Sequence, residues 1–493
     1  MNILFAVSEC VPFVKSGGLA DVAGALPKEL ALLGVETAVI MPKYSLIAED
    51  FKKRMNKTAE CEVSVGWRRQ YCGIEFLEHD GIHYYFIDNE YYFKRGTLYG
   101  HYDDGERFAF FSRAVLEALY TLDLAVDIIH THDWHAAMIN YLLKEEYGKK
   151  PFYQDMKTVL TIHNLQFQGV FPKETVHDLL GLDLSHMTTD RLEFYGNANY
   201  LKGGIMAADQ VTTVSPTYRN EILTPYYGEQ LEGVLSERQD VLTGILNGID
   251  ETIYDPLHDP HIDYHYDAEN LAGKRKNKTV IQQMLGLTEN EKIPVISMVT
   301  RLTKQKGIDL IKRVLHELLE EEEMQIIVLG TGETEFESYF RYMEYAFPRK
   351  CRAYIGFSEP LSHKLYAGSD LFLMPSKFEP CGIGQLIALT YGAVPIVRET
   401  GGLHDTVSAY QEKTGEGNGF TFTHFNAHDM KYTIKRALSF YHQKDIWNDI
   451  VQKAMTQNVG WADSARQYQQ IFDRVKRGEA SCSRVKKALN NAF

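Results

Sequence analysis

Short, continuously apolar or β-branched runs alternate with helix-length segments along almost the whole chain. Residues 3–7, 37–41, 83–87, 128–130, 158–163 and 210–214 read as strands in the first half. Residues 295–299, 325–329, 353–355, 371–374 and 394–397 read so in the second. These runs lack the one-in, one-out alternation of a sheet with a wet face, so they predict parallel sheets covered on both sides, an α/β chain. The stretch 19–33 reads as a helix that Pro27 should kink or split. The rhythm breaks once, between Asn247 and about Asn277, where Asp, His, Pro and Tyr accumulate before the basic run Lys274-Arg275-Lys276-Asn277-Lys278. An inter-domain connection there predicts two doubly wound domains. No repeat of 20–50 residues is visible, but Gly17-Gly18-Leu19 is echoed by Gly401-Gly402-Leu403, each expected at a helix start.

Composition narrows the function classes. With 493 residues, 44% of them hydrophobic, the chain can bury large cores. Its net charge of −14 disfavours nucleic acid and anionic membranes as partners, so an anionic ligand must meet a local basic pocket. The apolar run before Ser8-Glu9 is too short for a signal-peptide core, and no later run approaches the ~20 residues of a membrane span, which makes the cytoplasm the expected location. Cys10, Cys61, Cys72, Cys351, Cys381 and Cys482 show no CxxC spacing, so reduced thiols are expected. The mixed polar tail 476–493 is expected to be disordered, with a basic docking arm as the sharper alternative.

Three loops carry candidate chemistry. Lys15-Ser16-Gly17-Gly18 lies between the first strand and the first helix, where glycines with φ > 0 and the helix N-terminus could admit an anion whose charge Lys15 meets. An ordinary βα turn with a solvated lysine is the bland account, and the loop is not the dinucleotide fingerprint. Arg301 and Lys306 follow the strand 295–299, where a guanidinium and an ammonium could clamp a departing diphosphate. Glu379-Pro380-Cys381-Gly382-Ile383-Gly384-Gln385 follows the strand 371–374 and opens a helix. Glu379 could accept sugar hydroxyls or stabilise positive charge, or simply favour the helix dipole from its first turn.

The histidines admit several readings. His130 and His132 share one face of their strand, which makes a metal conceivable, but no carboxylate or cysteine recurs at ligand spacing. Hydrogen bonding to a sugar suits these rings and His163 better, and structural histidines remain the common outcome. The tyrosines between 84 and 102 are explained mostly by a core, although some could line a sugar groove.

The ordered set Lys15-Ser16-Gly17-Gly18-Leu19, Asp133-Trp134-His135-Ala136, Thr161-Ile162-His163-Asn164, Ser215-Pro216, Asn247-Gly248-Ile249-Asp250, Arg301-Leu302-Thr303-Lys304-Gln305-Lys306-Gly307, Pro375-Ser376-Lys377-Phe378-Glu379-Pro380-Cys381-Gly382 and Thr400-Gly401-Gly402-Leu403 closely resembles bacterial glycogen synthases and plant starch synthases. The resemblance spans residues 1 to about 475. It implies a GT-B glycosyltransferase, two Rossmann-like domains facing across a cleft, with no metal or other cofactor. The implied substrates are ADP-glucose as donor and an α-1,4-glucan as acceptor, with retention at the anomeric carbon. It divides the chain into an acceptor domain, 1–246, completed by a C-terminal helix, 457–475, and a nucleotide-sugar domain, 247–456. Arg301 and Lys306 match donor-phosphate residues, Lys15 the N-terminal loop lysine, and His163 and Glu379 residues assigned to catalysis. Gly17, Gly18, Asp21, Tyr99, Asp133, Asn164, Asn247, Cys381, Gly382, Gly384 and Gln385 match further substrate-binding positions.

The chain departs from the pattern at Ser16, where many relatives carry threonine, at Gly384, where many carry Thr or a similar residue, and at Ile387, where broader retaining enzymes carry a second glutamate. The resemblance suggests front-face attack, with the leaving phosphate accepting the acceptor's proton, and the two-domain layout predicts closure on donor binding. A UDP-glucose-dependent GT-B enzyme, a dehydrogenase and a silent glucan-binding protein are the alternatives. The dehydrogenase lacks its Gly fingerprint, and a pure binder has no need for a diphosphate clamp.

Overall fold

In the computed structural model, which describes residues 1–479, the chain divides into two compact units: Met1–Asn247 with the chain from Trp461 onward, and Gly248–Gly460. The first contains β1 Asn2–Ala6, β2 Glu36–Pro42, β3 Asn56–Val65, β4 Arg68–His79, β5 Ile82–Asp88, β6 Ile128–His132 and β7 Lys157–Ile162. A small antiparallel sheet of β8 Val170–Pro172, β9 Glu193–Phe194 and β10 Asn197–Asn199 follows, then β11 Gln210–Thr213 and β12 Leu242–Gly244. The main sheet runs β12-β11-β7-β6-β1-β2-β5-β4-β3. It is parallel from β12 to β5 and antiparallel across β5-β4-β3. The second unit holds β13 Val295–Val299, β14 Gln325–Gly330, β15 Cys351–Ile355, β16 Leu371–Met374, β17 Val394–Arg398 and β18 Phe420–Phe422, all parallel in the order β15-β14-β13-β16-β17-β18.

These orders locate the crevices. Chain connections leave β1 toward β2 on one side while β6 and β7 are laid down on the other, so the first sheet reverses between β1 and β6. The second reverses between β13 and β16 by the same logic. Adjacent loops diverge at such a reversal and leave room for a ligand at the carboxyl ends of the strands. No helix among the described residues is long and apolar enough to cross a membrane.

Several expectations are corrected. The helix Gly18–Leu32 runs through Pro27 without a break. Burial of Leu19, Val22, Ala23, Leu26 and Leu30 outweighs the one backbone bond that proline forfeits, and the Pro27 carbonyl accepts from Thr37 Oγ1 at 3.0 Å. The β3–β4 hairpin was not anticipated: its long, charged strands mix exposed, half-buried and buried positions and lack a long apolar run. The basic run 274–278 belongs to the helix Ala272–Met284, with Lys274, Asn277 and Lys278 on its buried face and Arg275 and Lys276 exposed. Lys274 Nζ donates to the carbonyls of Ser369 and Tyr391, both at 2.8 Å, and burial pulls its pKa down to about 7. Lys278 pairs with Asp370 at 2.7 Å.

The final helix, Ala462–Lys476, packs in the first unit. Tyr468 and Phe472 lie against the His130 ring at 5.5 and 5.4 Å, and Lys476 pairs with Asp127 at 2.9 Å. Lys476, expected to open the disordered tail, is thus the last residue of an anchored helix. The rest of that expected tail, from 480 to 493, lies outside the described residues.

Candidate functional site

In the first unit the ends of β1, β6 and β7 carry Ser8, Glu9, His132, Asp133, His163 and Asn164, of which the last four are joined by hydrogen bonds. Asp133 takes a left-handed backbone, φ 54°, as it opens the helix Asp133–Glu145. That turn aims its carboxylate across to β7, where Oδ1 accepts the backbone N–H of His163 at 2.8 Å and of Asn164 at 3.5 Å. Burial raises the Asp133 pKa to about 7 against those hydrogen bonds. His163 Nε2 meets His132 Nδ1 at 2.9 Å, one ring donating and the other accepting. His130 and His132 do share a face, their rings 4.1 Å apart, and His130 Nε2 meets Thr161 Oγ1 at 2.6 Å. Burial pushes His130, His135 and His163 down to about 3, and His132 well below its ordinary value, so all four are neutral rings. Among the described residues no group of three His, Cys, Asp or Glu is arranged to hold a metal ion.

Tyr99 closes this network from the side. Its hydroxyl meets Ser8 Oγ at 2.7 Å, and its ring lies on His135 at 4.4 Å. Of the neighbouring tyrosines, Tyr84 and Tyr92 are core, Tyr85 is half-buried, and Tyr91 and Tyr102 are exposed. The loop before the first helix differs from expectation in two ways. Gly17 is extended, with φ −157°, and does not use the left-handed region. The group held by the Ser16 and Gly17 N–H groups is the protein's own Glu9 carboxyl, 2.5 Å from Ser16 N. Lys15 extends outward and pairs with Asp21 at 2.7 Å. Gly18 begins the helix, and Asn247, buried, is the last residue of this unit's first segment.

In the second unit the loops after β13, β16 and β17 converge on Glu379. Gly307, at φ 73°, sits so close to Pro375 that a Cβ would lie 2.1 Å from its carbonyl oxygen. That approach zips two loops together, with Lys377 N donating to the Gln305 carbonyl at 2.8 Å. Lys306 Nζ is thereby 2.6 Å from Glu379 Oε2, which also accepts from Ser376 Oγ at 2.9 Å. Gly401, at φ 46°, and Gly402 leave no room for a Cβ against the backbone of residues 379–381, and Gly402 N donates to the carbonyls of Glu379 and Pro380. Glu379 is buried and lies upstream of the helix Gly384–Thr390, so it is not the first-turn carboxylate of that helix. Arg301 is exposed, its Nη2 3.3 Å from Gln305 Oε1.

The turn after Glu379 is shaped by Gly382, at φ 75°, and held by Gln385 Nε2, which donates to the carbonyls of Cys381 and Gly382, both at 3.0 Å. A Cβ at Gly384 would stand 3.2 Å from the Phe372 ring, so the missing side chain leaves no gap. Cys381 is buried in this turn, and Ile387 is buried in an apolar cluster with Tyr366 and Phe372. The expected residues therefore fall into two groups: Lys15, Asp21, Tyr99, Asp133, His163 and Asn164 in the first unit, and Arg301, Lys306, Glu379 and the 381–385 turn in the second. Sequence reasoning passed over Ser8, Glu9 and the positioning contact from His132. The usable signal for Ser8 and Glu9 was their place just past β1, at the sheet reversal.

Comparison with known proteins shows what the whole chain is similar to. The family profile of the starch synthase catalytic domain matches residues 2–237, and that of glycosyl transferases group 1 matches residues 282–453. The chain is 79% identical over 480 residues to a glycogen synthase of Bacillus licheniformis, covering 97% of this chain and 99% of that one. It is 69% identical over 477 residues to a glycogen synthase of Bacillus subtilis, with coverage of 97% and 99%. Among solved structures, the catalytic domain of starch synthase IV from Arabidopsis thaliana, bound to ADP and acarbose, superposes with a TM-score of 0.90 at 33% identity, covering 97% of this chain and 99% of that one.

Proposed function

The chain belongs to the glycogen synthase family, and from that premise we propose that it transfers glucose from ADP-glucose to the 4-hydroxyl at the non-reducing end of an α-1,4-glucan, retaining the anomeric configuration. Its fold is GT-B and its class is glycosyltransferase. The observation that carries the reading is the Lys306–Glu379 pair at the reversal of the second sheet, with Arg301 on the same loop as Lys306.

Breaking the bond from glucose to the diphosphate separates charge: the ring gains oxocarbenium character and the leaving oxygen becomes anionic. Arg301 and Lys306 meet the anionic side, one as a planar fork and the other as a point charge. Glu379, buried and fixed by Lys306 and Ser376, stabilises the positive side or holds sugar hydroxyls. The turn Cys381-Gly382-Ile383-Gly384-Gln385 offers backbone groups to the donor; in the first unit the Gly17 N–H is taken by Glu9, and Lys15, paired with Asp21, is the cation available to an anion. His163, Asn164, Asp133, Tyr99 and Asn247 position the glucosyl ring and the acceptor. The family resemblance supports front-face attack, in which the acceptor's proton passes to the leaving phosphate.

The test offers ADP-glucose and UDP-glucose separately, with and without glycogen, and follows glucose incorporation together with nucleotide release. The proposal expects glucan-dependent incorporation from ADP-glucose, with new linkages cleaved by an α-1,4-specific amylase. Preference for UDP-glucose, or nucleotide release without polymer growth, overturns it.

A further inference from the structure

The β3–β4 hairpin turns through Gly66-Trp67, with Gly66 at φ 58°, and this two-residue turn sets the register of both strands. Counting back from it, Val65 faces Arg68, Val63 faces Gln70 and Cys61 faces Cys72. Directly opposed residues in an antiparallel ladder project to the same face, with Cα atoms about 4.5 or 5.5 Å apart, both within the ~4.4–6.8 Å that a disulfide spans. Both thiols are free and in hydrogen-bonding contact.

The pair is chemically unequal. Cys61 is half-buried, and the hydrogen bond from Cys72 holds its thiol below the ordinary value although burial opposes this. Cys72 is buried and its thiol is pushed up, by the contact with Cys61 and by burial. One sulfur is accessible and the more readily deprotonated of the two, while the other is shielded and holds its proton more tightly. That is the division of labour between an attacking and a resolving thiol. The remaining described cysteines, Cys10, Cys351 and Cys381, are all buried.

We propose that Cys61 and Cys72 are a redox-active dithiol that a low-molecular-weight disulfide oxidises to a cross-strand disulfide. The Cys61 thiolate attacks one sulfur of the reagent, forming a mixed disulfide and expelling a thiolate. Cys72 then attacks the Cys61 sulfur, its proton leaving with the second reagent thiol. Two protein thiols are oxidised to one disulfide while the reagent disulfide is reduced to two thiols.

The hairpin is also wired to the candidate site. The Tyr71 carbonyl accepts from Asn89, Asn89 caps the turn that holds Tyr92, and Arg107 bridges the carbonyls of Tyr92 and of Leu98, beside Tyr99.

To test the proposal, the full-length protein is incubated with oxidised glutathione, its free thiols are blocked under denaturing conditions, and unreduced peptides are mapped by mass. The expected product links the peptides of Cys61 and Cys72. In Cys72→Ser the reaction stops with glutathione on Cys61, and in Cys61→Ser position 72 stays unmodified. A wild-type protein that keeps glutathione on Cys61 while Cys72 remains blockable overturns the proposal, as does failure of both thiols to react. Because the decisive result comes from the wild type, a variant that folds poorly does not rescue or sink it.

Discussion

The two sheet reversals occupy equivalent places in two similar folds and carry opposite electrostatics. At the second, Lys306 and Glu379 form an ion pair, 2.6 Å apart, with little exposure to solvent. At the first, burial suppresses charge: four histidines are held neutral, and Asp133 and Glu9 are pushed toward their protonated forms. The same topology thus holds an ion pair at one reversal and a largely neutral hydrogen-bonding surface at the other. What differs is how much compensation each buried group receives.

The strongest way to break this comparison is to remove charge from the second reversal. Lys306→Ala is expected to lower kcat by ~10²–10³ without unfolding the chain, the scale found when a preorganised charge-stabilising group is lost. Steady-state rates and a melting curve check this, and near-normal turnover would dismiss Lys306 from the reaction.

Acid should separate the two units. The histidines of the first have folded pKa values near 3 against about 6.5 when unfolded, so the unfolded chain binds more protons in that interval and stability falls as pH drops from about 6.5 toward 3. In the second unit Asp259, although burial opposes it, is held below the usual carboxylate range by hydrogen bonds from His363 and Tyr391, so its loss begins only below about pH 4. Hydrogen exchange at pH 5 is expected to speed up in peptides around 130–163 before those around 295–400. Simultaneous loss would show that the neutral histidines do not set acid sensitivity.

A smaller effect tests positioning. His132→Phe removes the contact to His163 Nε2 and is expected to lower kcat about tenfold with little change in KM for the glucan, the scale of one hydrogen bond near 1.4 kcal/mol. His132→Asn should restore part of the rate, whereas a purely structural role would not distinguish the two variants. The smallest expected change is in Asp133→Asn, since asparagine tolerates the left-handed backbone. Asp133 has a folded pKa raised to about 7, so its own contribution to stability falls as pH rises from about 4 to 7. Removing it should steepen the gain in stability over that range, measured by urea unfolding at several pH values.

The parallel strands were legible in the sequence because burial on both faces demands an unbroken apolar run. The runs 295–299 and 371–374 coincide with β13 and β16. The β3–β4 hairpin was not legible, since an exposed edge tolerates Lys57, Glu60 and Glu62 and leaves only a weak alternation. Pro27 does not split its helix, because propensity acts locally whereas the packing that overrides it comes from elsewhere in the fold. At the candidate site, residues on loops that follow strands were readable one by one. Their meetings were not: the Lys306–Glu379 contact spans 73 positions and depends on glycines at 307, 401 and 402 that let three backbones touch. Glu9 was hidden for a similar reason, because its partners are backbone N–H groups that no side-chain pattern reports.

The last helix has a consequence for how this chain is made. Its Tyr468 and Phe472 cover the ring of His130, yet they emerge from the ribosome long after the rest of the first unit. At about 5–20 residues per second, the ~230 residues between position 247 and the end of that helix take on the order of 10–45 s to synthesise. Throughout that interval the first unit waits with an uncovered apolar seam, while the second can fold from a contiguous stretch. The nascent chain is therefore expected to complete its second half before its first, and to depend most on holding chaperones during that delay.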